Sequence, residues 1–426
     1  MWPFRKNSAQ AVRSNDPYWL MRNGIGDAGD ALRESIHCDV AIVGAGITAA
    51  LVADALVATG RRIVVLDARE VAHGSTAAST ALLQYEIDTH LTDLVRMLGA
   101  DRALRAYRAC AESFSMLEQR FPELLAFAGY ERRPSLYLAA DERAVGTVRA
   151  EFEARRNIGL ACEWLDAREL QRRYGCRRPG GILSALGAQT DPFRLARALF
   201  SASQRHGVRL FARTRITRIE ERPEALVLHA AGGQSVTAAN VVVCAGYESL
   251  EFLPRNVAEV NNTFALVTEP LNPRQWIDNL PLIWESARPY FYMRGTSDGR
   301  LVVGGADLPF KNVAARELML PRQIRRLQQQ YQDVFGAEMA PVAYTWAGSF
   351  AETRDGLPYI GRAPGMNPRL QFALCYGGNG ITYSVHAGEI IRAGIEGRQH
   401  PLDDVFGFAR LEADLSAGRQ RGVTGV

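Results

Sequence analysis

Three groups of residues in this chain have the types and spacing for chemistry. The first is Gly44-Ala45-Gly46-Ile47-Thr48-Ala49, a GxGxxG/A turn between an apolar run and a small-residue run. Gly44 permits a tight turn, Gly46 lets backbone approach a pyrophosphate, and Ala49 lets a helix pack close to a sheet. Asp67 ends the next apolar run, where a carboxylate can accept from ribose hydroxyls and disfavour a 2′-phosphate. Together these residues read as a dinucleotide site.

The second group is Gly74-Ser75-Thr76-Ala77-Ala78-Ser79-Thr80, small and hydroxyl-rich, soon after the aspartate. Its hydroxyls and amides suit a second phosphate and the edge of a ring. The third is Tyr376-Gly377-Gly378-Asn379-Gly380-Ile381-Thr382, a glycine loop that opens a helix more than 300 residues later. A helix N-terminus after glycines is a natural anion site. Gln84, Tyr85 and Glu86 follow the second group and are candidates to face a bound ring. So are Tyr290, Tyr292 and Arg294, which alternation along a strand places on one face.

The elements that must position these groups are legible in outline. Residues 38–43 and 62–67 read as apolar strands and 47–59 as a helix, which makes a βαβ unit and implies a parallel sheet. Residues 90–121, 141–156, 166–174, 193–207 and 314–335 read as helices. Asp191-Pro192 caps the fourth of these. Strands are expected at 135–140, 239–246 and 370–375. Residues 289–305 read as a hairpin: an alternating aromatic strand, a Ser-Asp-Gly turn and an apolar strand. The nucleotide-type elements are interleaved with the others, so the fold class is α/β with two interwoven domains. The expected division is a nucleotide-binding domain at 37–90, 190–255 and 345–400. A substrate domain occupies 91–189 and 256–344, with an arm at 1–36 and a tail at 401–426.

Bulk properties exclude several functions. The net charge is +4 over 426 residues, and arginine-rich stretches such as 215–222 interleave acids, so no nucleic-acid partner is expected. No apolar run suits a membrane span, and the N-terminus has no secretory core. The six cysteines show no CxxC spacing and no metal-like cluster with histidine, as in a reduced, cytoplasmic protein. Lys6 and Lys311 are the two lysines, which leaves Lys311 as the candidate for lysine chemistry.

The four blocks VGAGITAA with LDARE (43–70), HGSTAASTALL (73–83), VVVCAG (241–246) and WAGSFAETRDGLPYIG with YGGNGIT (346–382) carry a family resemblance. In their order and spacing the chain resembles the FAD-dependent oxidoreductases of the D-amino acid oxidase, glycine oxidase and sarcosine oxidase group. The resemblance implies a Rossmann-like FAD domain interrupted by an α+β substrate domain on a largely antiparallel sheet. It implies that Gly44, Gly46, Ile47, Thr48, Asp67, Ala68 and Arg69 hold the ADP half of FAD. Gly74, Ser75, Thr76, Ser79 and Thr80 would follow the pyrophosphate and flavin, with Ala245 and Gly246 near the phosphates. Arg215 or Ile216 would lie by the adenine, and Gly348, Gly378, Asn379, Gly380, Ile381 and Thr382 by the flavin. The implied reaction is hydride transfer from a carbon bearing an amine or amino-acid nitrogen to flavin N5, with later hydrolysis of the imine. A hydroxy-acid or polyol dehydrogenase, or an inactive flavin-binding protein, is the alternative.

The chain departs from the family at three places. Phe350 stands where many relatives carry an arginine that clamps the substrate carboxylate, and phenylalanine cannot form a bidentate clamp. The block around it lacks the cysteine of covalent flavoproteins, so FAD is expected to be non-covalent. Val302 stands where sarcosine oxidases place a lysine, which leaves oxygen or another electron acceptor open.

Overall fold

A computed structural model describes residues 13–411, apart from 25, 27–28 and 273–278. Residues 1–12 of the expected arm and 412–426 of the expected tail lie outside the described residues.

The chain first builds a parallel core. Strand Ile36–Val43 pairs in parallel with Ile63–Leu66 on one side and Ser235–Val243 on the other, and Arg209–Phe211 extends the sheet beyond Ile63–Leu66. The later half of Ser235–Val243 also takes Leu370–Leu374 in parallel; the earlier half takes the antiparallel Leu226–Ala230 and, beyond it, Ile216–Glu221. A central parallel strand is covered on both faces and therefore reads as a continuous apolar run. Accordingly Val40 and Ile42 enter one hydrophobic cluster, and Ala41 and Val43 enter another on the opposite face.

Helix Ile47–Val57 follows the first strand through Gly44, whose φ of +108° is open to glycine. It packs against Pro192–Arg205 and Gly380–Ile395. The contact with Gly380–Ile395 depends on a missing side chain. A Cβ at Gly388 would lie 2.9 Å from the Ala55 Cβ and 3.0 Å from the Leu51 carbonyl. The last helix of the chain's nucleotide blocks is thereby locked onto the first.

The second layer is a nine-stranded sheet. Its order is Arg13–Ser14, Val342–Glu352, Glu259–Thr268, Leu301–Pro309, Phe291–Gly295, Leu282–Glu285, Ser135–Leu138, Gly180–Ser184 and Cys162–Asp166. Every pairing is antiparallel except that of Leu282–Glu285 with Ser135–Leu138. Helix Val313–Phe335 buries Leu320, Ile324 and Leu327 with Phe264, Leu266 and Val303 of this sheet. The expected hairpin is present, with Phe291 opposite Gly305 and Met293 opposite Val303. A small sheet of Leu82–Gln84, Gly187–Gln189 and Glu131–Arg132 completes the set.

Three boundaries differ from the sequence reading. The helical stretch 90–121 breaks into Leu91–Leu98 and Ala100–Arg120 at Gly99, where φ is +83°. Strand Val342–Glu352 begins the last nucleotide-type block, but it pairs with Glu259–Thr268 and so belongs to the large sheet. The expected arm, read without elements of its own, carries two: Arg13–Ser14 adds to the large sheet's edge, and helix Tyr18–Asn23 buries Trp19. No described helix is long and apolar enough to cross a membrane.

Gly388→Leu is expected to destabilise the protein by roughly 1–3 kcal/mol through overpacking. Denaturant unfolding of the flavin-loaded protein checks this; an unchanged midpoint would contradict the helix contact.

Candidate active site

One cleft of about 740 Å³ runs from the carboxyl edge of the parallel sheet to the aromatic face of the large one. Every residue expected to hold FAD lines it, from Gly44, Gly46, Ile47 and Thr48 through Asp67, Ala68 and Arg69 to Gly378–Thr382. Ligands bind at that edge in parallel α/β sheets, where helix N-termini and loop amides converge.

At the nucleotide end the backbone approaches closely. A Cβ at Gly44 would lie 2.4 Å from the Cys244 carbonyl, and one at Gly46 would lie 3.0 Å from Thr76 Oγ1. That hydroxyl accepts from the Ile47 N–H at 3.0 Å and ties loop 74–80 to the fingerprint helix. Asp67 accepts from the Ala45 and Arg69 N–H groups at 2.6 and 2.7 Å. Burial raises its pKa against those two bonds. Each oxygen keeps acceptor capacity for a hydroxyl donor. Arg69 forms a two-point pair with Glu248 at 2.7 and 2.8 Å, which closes the side of the cleft lined by Arg215 and Ile216.

Loop 74–80 is held from behind by three donors. Trp346 Nε1 donates to the Ala78 carbonyl at 2.8 Å, Trp19 Nε1 to Ser79 at 2.7 Å, and Arg294 Nε to Thr80 at 2.7 Å. The late glycine loop is held as firmly. Asn379 Nδ2 donates to the Gln84 and Glu86 carbonyls at 2.9 and 2.8 Å, and the Gly378 N–H donates to Asp88 at 2.9 Å. The 16-residue helix Gly380–Ile395 then points its N-terminus into the cleft. It can stabilise negative charge there.

The catalytic candidates divide. Gln84, Tyr290 and Tyr292 line the cleft. Tyr292 shares a hydrogen bond of 3.1 Å with Thr263, and Gln84 Nε2 donates to Ser135 at 3.2 Å. Glu86 and Arg294 are not among the lining residues. Glu86 is turned inward and buried, with Arg155 3.8 Å away and Glu151 on that arginine's other side. Burial raises its pKa against the pull of Arg155. Arg294 is spent on backbone: besides Thr80 it donates to Gly295 and to Thr190. Its strand parity is as expected, but the small-residue loop lies over it. His386 is a buried helix residue, 2.6 Å from the Ala109 carbonyl, and Tyr383 donates to the Gly356 carbonyl.

Six charged residues of the cleft were missed, Glu248 and Glu251 near Arg69 and four more at the opposite end. Asp88, Arg288, Asp307 and Glu352 line its substrate end with Trp284, Phe350 and the hairpin tyrosines. The Arg288 guanidinium lies 3.2 Å from the centre of the Tyr290 ring, and burial lowers its pKa. Asp307 Oδ1 is buried without a hydrogen-bond partner. Burial, reinforced by Asp88 and Glu352 and opposed by Thr263 and Arg288, pushes the Asp307 carboxyl up to about 7. Burial and Asp88 likewise raise Glu352. The available signal was weak: an aspartate and a glutamate near the ends of apolar strands.

The family model for DAO, FAD dependent oxidoreductase, matches residues 39–393. The chain belongs to this family of FAD-dependent oxidoreductases. It is 25% identical over 396 residues to gamma-glutamylputrescine oxidoreductase of Escherichia coli K12, covering 90% of this chain and 88% of that one. It is 26% identical to glycine oxidase of Geobacillus kaustophilus HTA426, covering 86% and 94%. Among solved structures, glycine oxidase from Geobacillus kaustophilus aligns with a TM-score of 0.71 at 20% identity, covering 88% of this chain and 99% of that one. L-proline dehydrogenase from P. horikoshii aligns with a TM-score of 0.72 at 17% identity, covering 90% and 99%. FAD, the family's cofactor, fits this chain: every residue expected to hold it lines one cleft, which spans both ends.

Two outcomes follow from the geometry. Arg294→Met removes the loop's rear support and should weaken flavin retention by about 10-fold; equilibrium dialysis of FAD reads it, and unchanged retention would contradict the clamp. Asp307 titrates about three pH units higher in the native than in the unfolded state, so native protein binds the extra proton between about pH 4 and 7. Stability from this group therefore falls as pH rises to about 7 and stays low above. Asp307→Asn should raise the melting temperature of the ligand-free protein at pH 8, with the gain vanishing near pH 4. An equal gain at both pH values would contradict it.

Proposed function

We propose that this cleft oxidises an amine or amino acid at a carbon bearing the nitrogen. The observation that carries the reading is the continuity of the cleft. The cavity that starts at Gly44 and Asp67 ends between the late glycine loop and the face of Tyr290 and Tyr292. The amine chemistry named for gamma-glutamylputrescine oxidoreductase and glycine oxidase supports it.

Bound FAD supplies the two-electron acceptor for the carbon–hydrogen bond. The chain's residues orient and enclose. Trp284, stacked on Tyr137 with ring centres 3.9 Å apart, and the hairpin tyrosines form an aromatic wall against which a substrate is held. The packed wall excludes water from the reacting carbon. The Gly380 helix N-terminus would favour negative charge on a group held beside it. The substrate nitrogen must be neutral when the hydride leaves, so no side chain need act as an obligatory base. Gln84, tied to Ser135 and flanked by the late loop, is placed as a neutral polar contact at this point.

FAD is read as non-covalent. Cys244 and Cys375 line the cleft, but burial raises both thiols well above the ordinary range, which suppresses the nucleophilic thiolate. All six cysteines are free, in keeping with a cytoplasmic site.

The purified protein is expected to be yellow, to release its flavin on acid denaturation, and to bleach anaerobically with amines. Flavin that stays with the precipitated polypeptide would refute the non-covalent assignment. Bleaching by hydroxy acids and by no amine would refute the reaction.

A further inference from the structure

The substrate end of the cleft carries more negative charge than oxidation of one amine requires. Asp88, Asp307 and Glu352 come from three separate segments and converge there with Arg288. The Gly378 N–H donates to Asp88, which fixes that carboxylate beside the late loop. Asn261 Nδ2 donates to Glu352 at 3.5 Å. Asp307 lies next to Thr263, and its Oδ1 is buried in the wall with no partner. A buried acceptor without a donor costs stability until something supplies one.

Arg288 does not supply it. Its guanidinium sits over the Tyr290 ring, a cation–π arrangement, and no ion pair of it with the three carboxylates is among those formed by the described residues. Phe350 also lines this end and brings no charge to it. The end is thus built for a cation.

That cation is unlike the reacting nitrogen. A carboxylate beside an ammonium favours its charged form. The reacting nitrogen has to become neutral before its carbon loses hydride. Three carboxylates around it would work against the reaction; around a second, spectator ammonium they do only binding work. Resting on the amine-oxidation reading above, we propose that the preferred substrate is a diamine or polyamine whose non-reacting ammonium docks on Asp307 and Glu352, with Asp88 completing the set.

The test uses flavin-loaded enzyme under anaerobic conditions. Calorimetry and flavin bleaching are both read for α,ω-diamines of three to six carbons, for the n-alkylamines of equal length, and for the matching ω-amino acids. At least one diamine should bind about 10-fold or more tightly than its alkylamine, the step expected for a charge-assisted contact, and the ω-amino acids should bind most weakly. Asp307→Asn and Glu352→Gln should each collapse the diamine-to-alkylamine ratio toward one. Flavin content and melting temperature check that each variant is folded, and two variants guard against loss of either. Equal binding of diamines and alkylamines at every length would overturn the proposal while leaving amine oxidation standing. So would tightest binding of the ω-amino acids, which would make Arg288 a carboxylate anchor. Bleaching by hydroxy acids with no response to any amine would remove the amine reading and this proposal with it.

Discussion

Three consecutive carbonyls, those of Ala78, Ser79 and Thr80, hold this molecule's two halves in working relation. Each accepts a hydrogen bond from a side chain outside the nucleotide-binding sheet: Trp346 and Arg294 from the large sheet, and Trp19 from the arm. Backbone carbonyls that face away from water must find donors. Here the donors are rigid and buried, so the loop's opposite side is fixed toward the cleft. Thr76 then carries the constraint on to the fingerprint helix through the Ile47 N–H.

The same strand does two jobs at once. Along Phe291–Gly295 the side chain of Arg294 supports the loop, while Tyr292, with Tyr290 just before the strand, roofs the substrate end. Their shared face follows from the period of two. Cofactor seating and substrate enclosure are therefore coupled through one pleated ribbon, and a displacement of the hairpin moves both. The buried set of Glu86, Arg155 and Glu151 lies behind this wall, with Arg155 near the rings of Tyr85, Tyr107 and Tyr137. Breaking a buried pair leaves an uncompensated charge, which costs about 3–5 kcal/mol. These residues read as support for the wall from within.

What was legible in the sequence was what is local in it. Gly44, Gly46 and Asp67 sit within one βαβ unit, where the steric demand on each position is set by its near neighbours. The late glycine loop was legible for the same reason, as a turn opening a helix. Glu86 was taken to face the cleft because it follows the small-residue loop, but nearness in sequence does not fix which way a side chain turns once strand Leu82–Gln84 has ended. Arg294 was misplaced for a different reason. Parity gives a face but not what lies on that face, and the layer above it is a loop more than 200 residues away in sequence. Asp88, Arg288, Asp307 and Glu352 were missed because their meaning is collective. No one of them stands out alone, and only the folded sheet brings them to one cavity.

The arrangement divides electrostatic labour along the cleft. At the nucleotide end an anionic ligand meets helix N-termini and backbone amides, whose partial charges are fixed in place and need no counter-ion. At the substrate end full carboxylates crowd together with one guanidinium, so burial and mutual repulsion raise Asp307 and Glu352 rather than letting both ionise freely. Dipoles cost little when their ligand is absent; crowded carboxylates do cost, because burial and like charge oppose their ionisation once a cation has left. The stability forgone at Asp307 is thus tied to what the site recognises. Selection for stability alone would replace that aspartate with its neutral amide, which fits the same space. On the proposed reading, a positively charged occupant is what accounts for its presence in the wall.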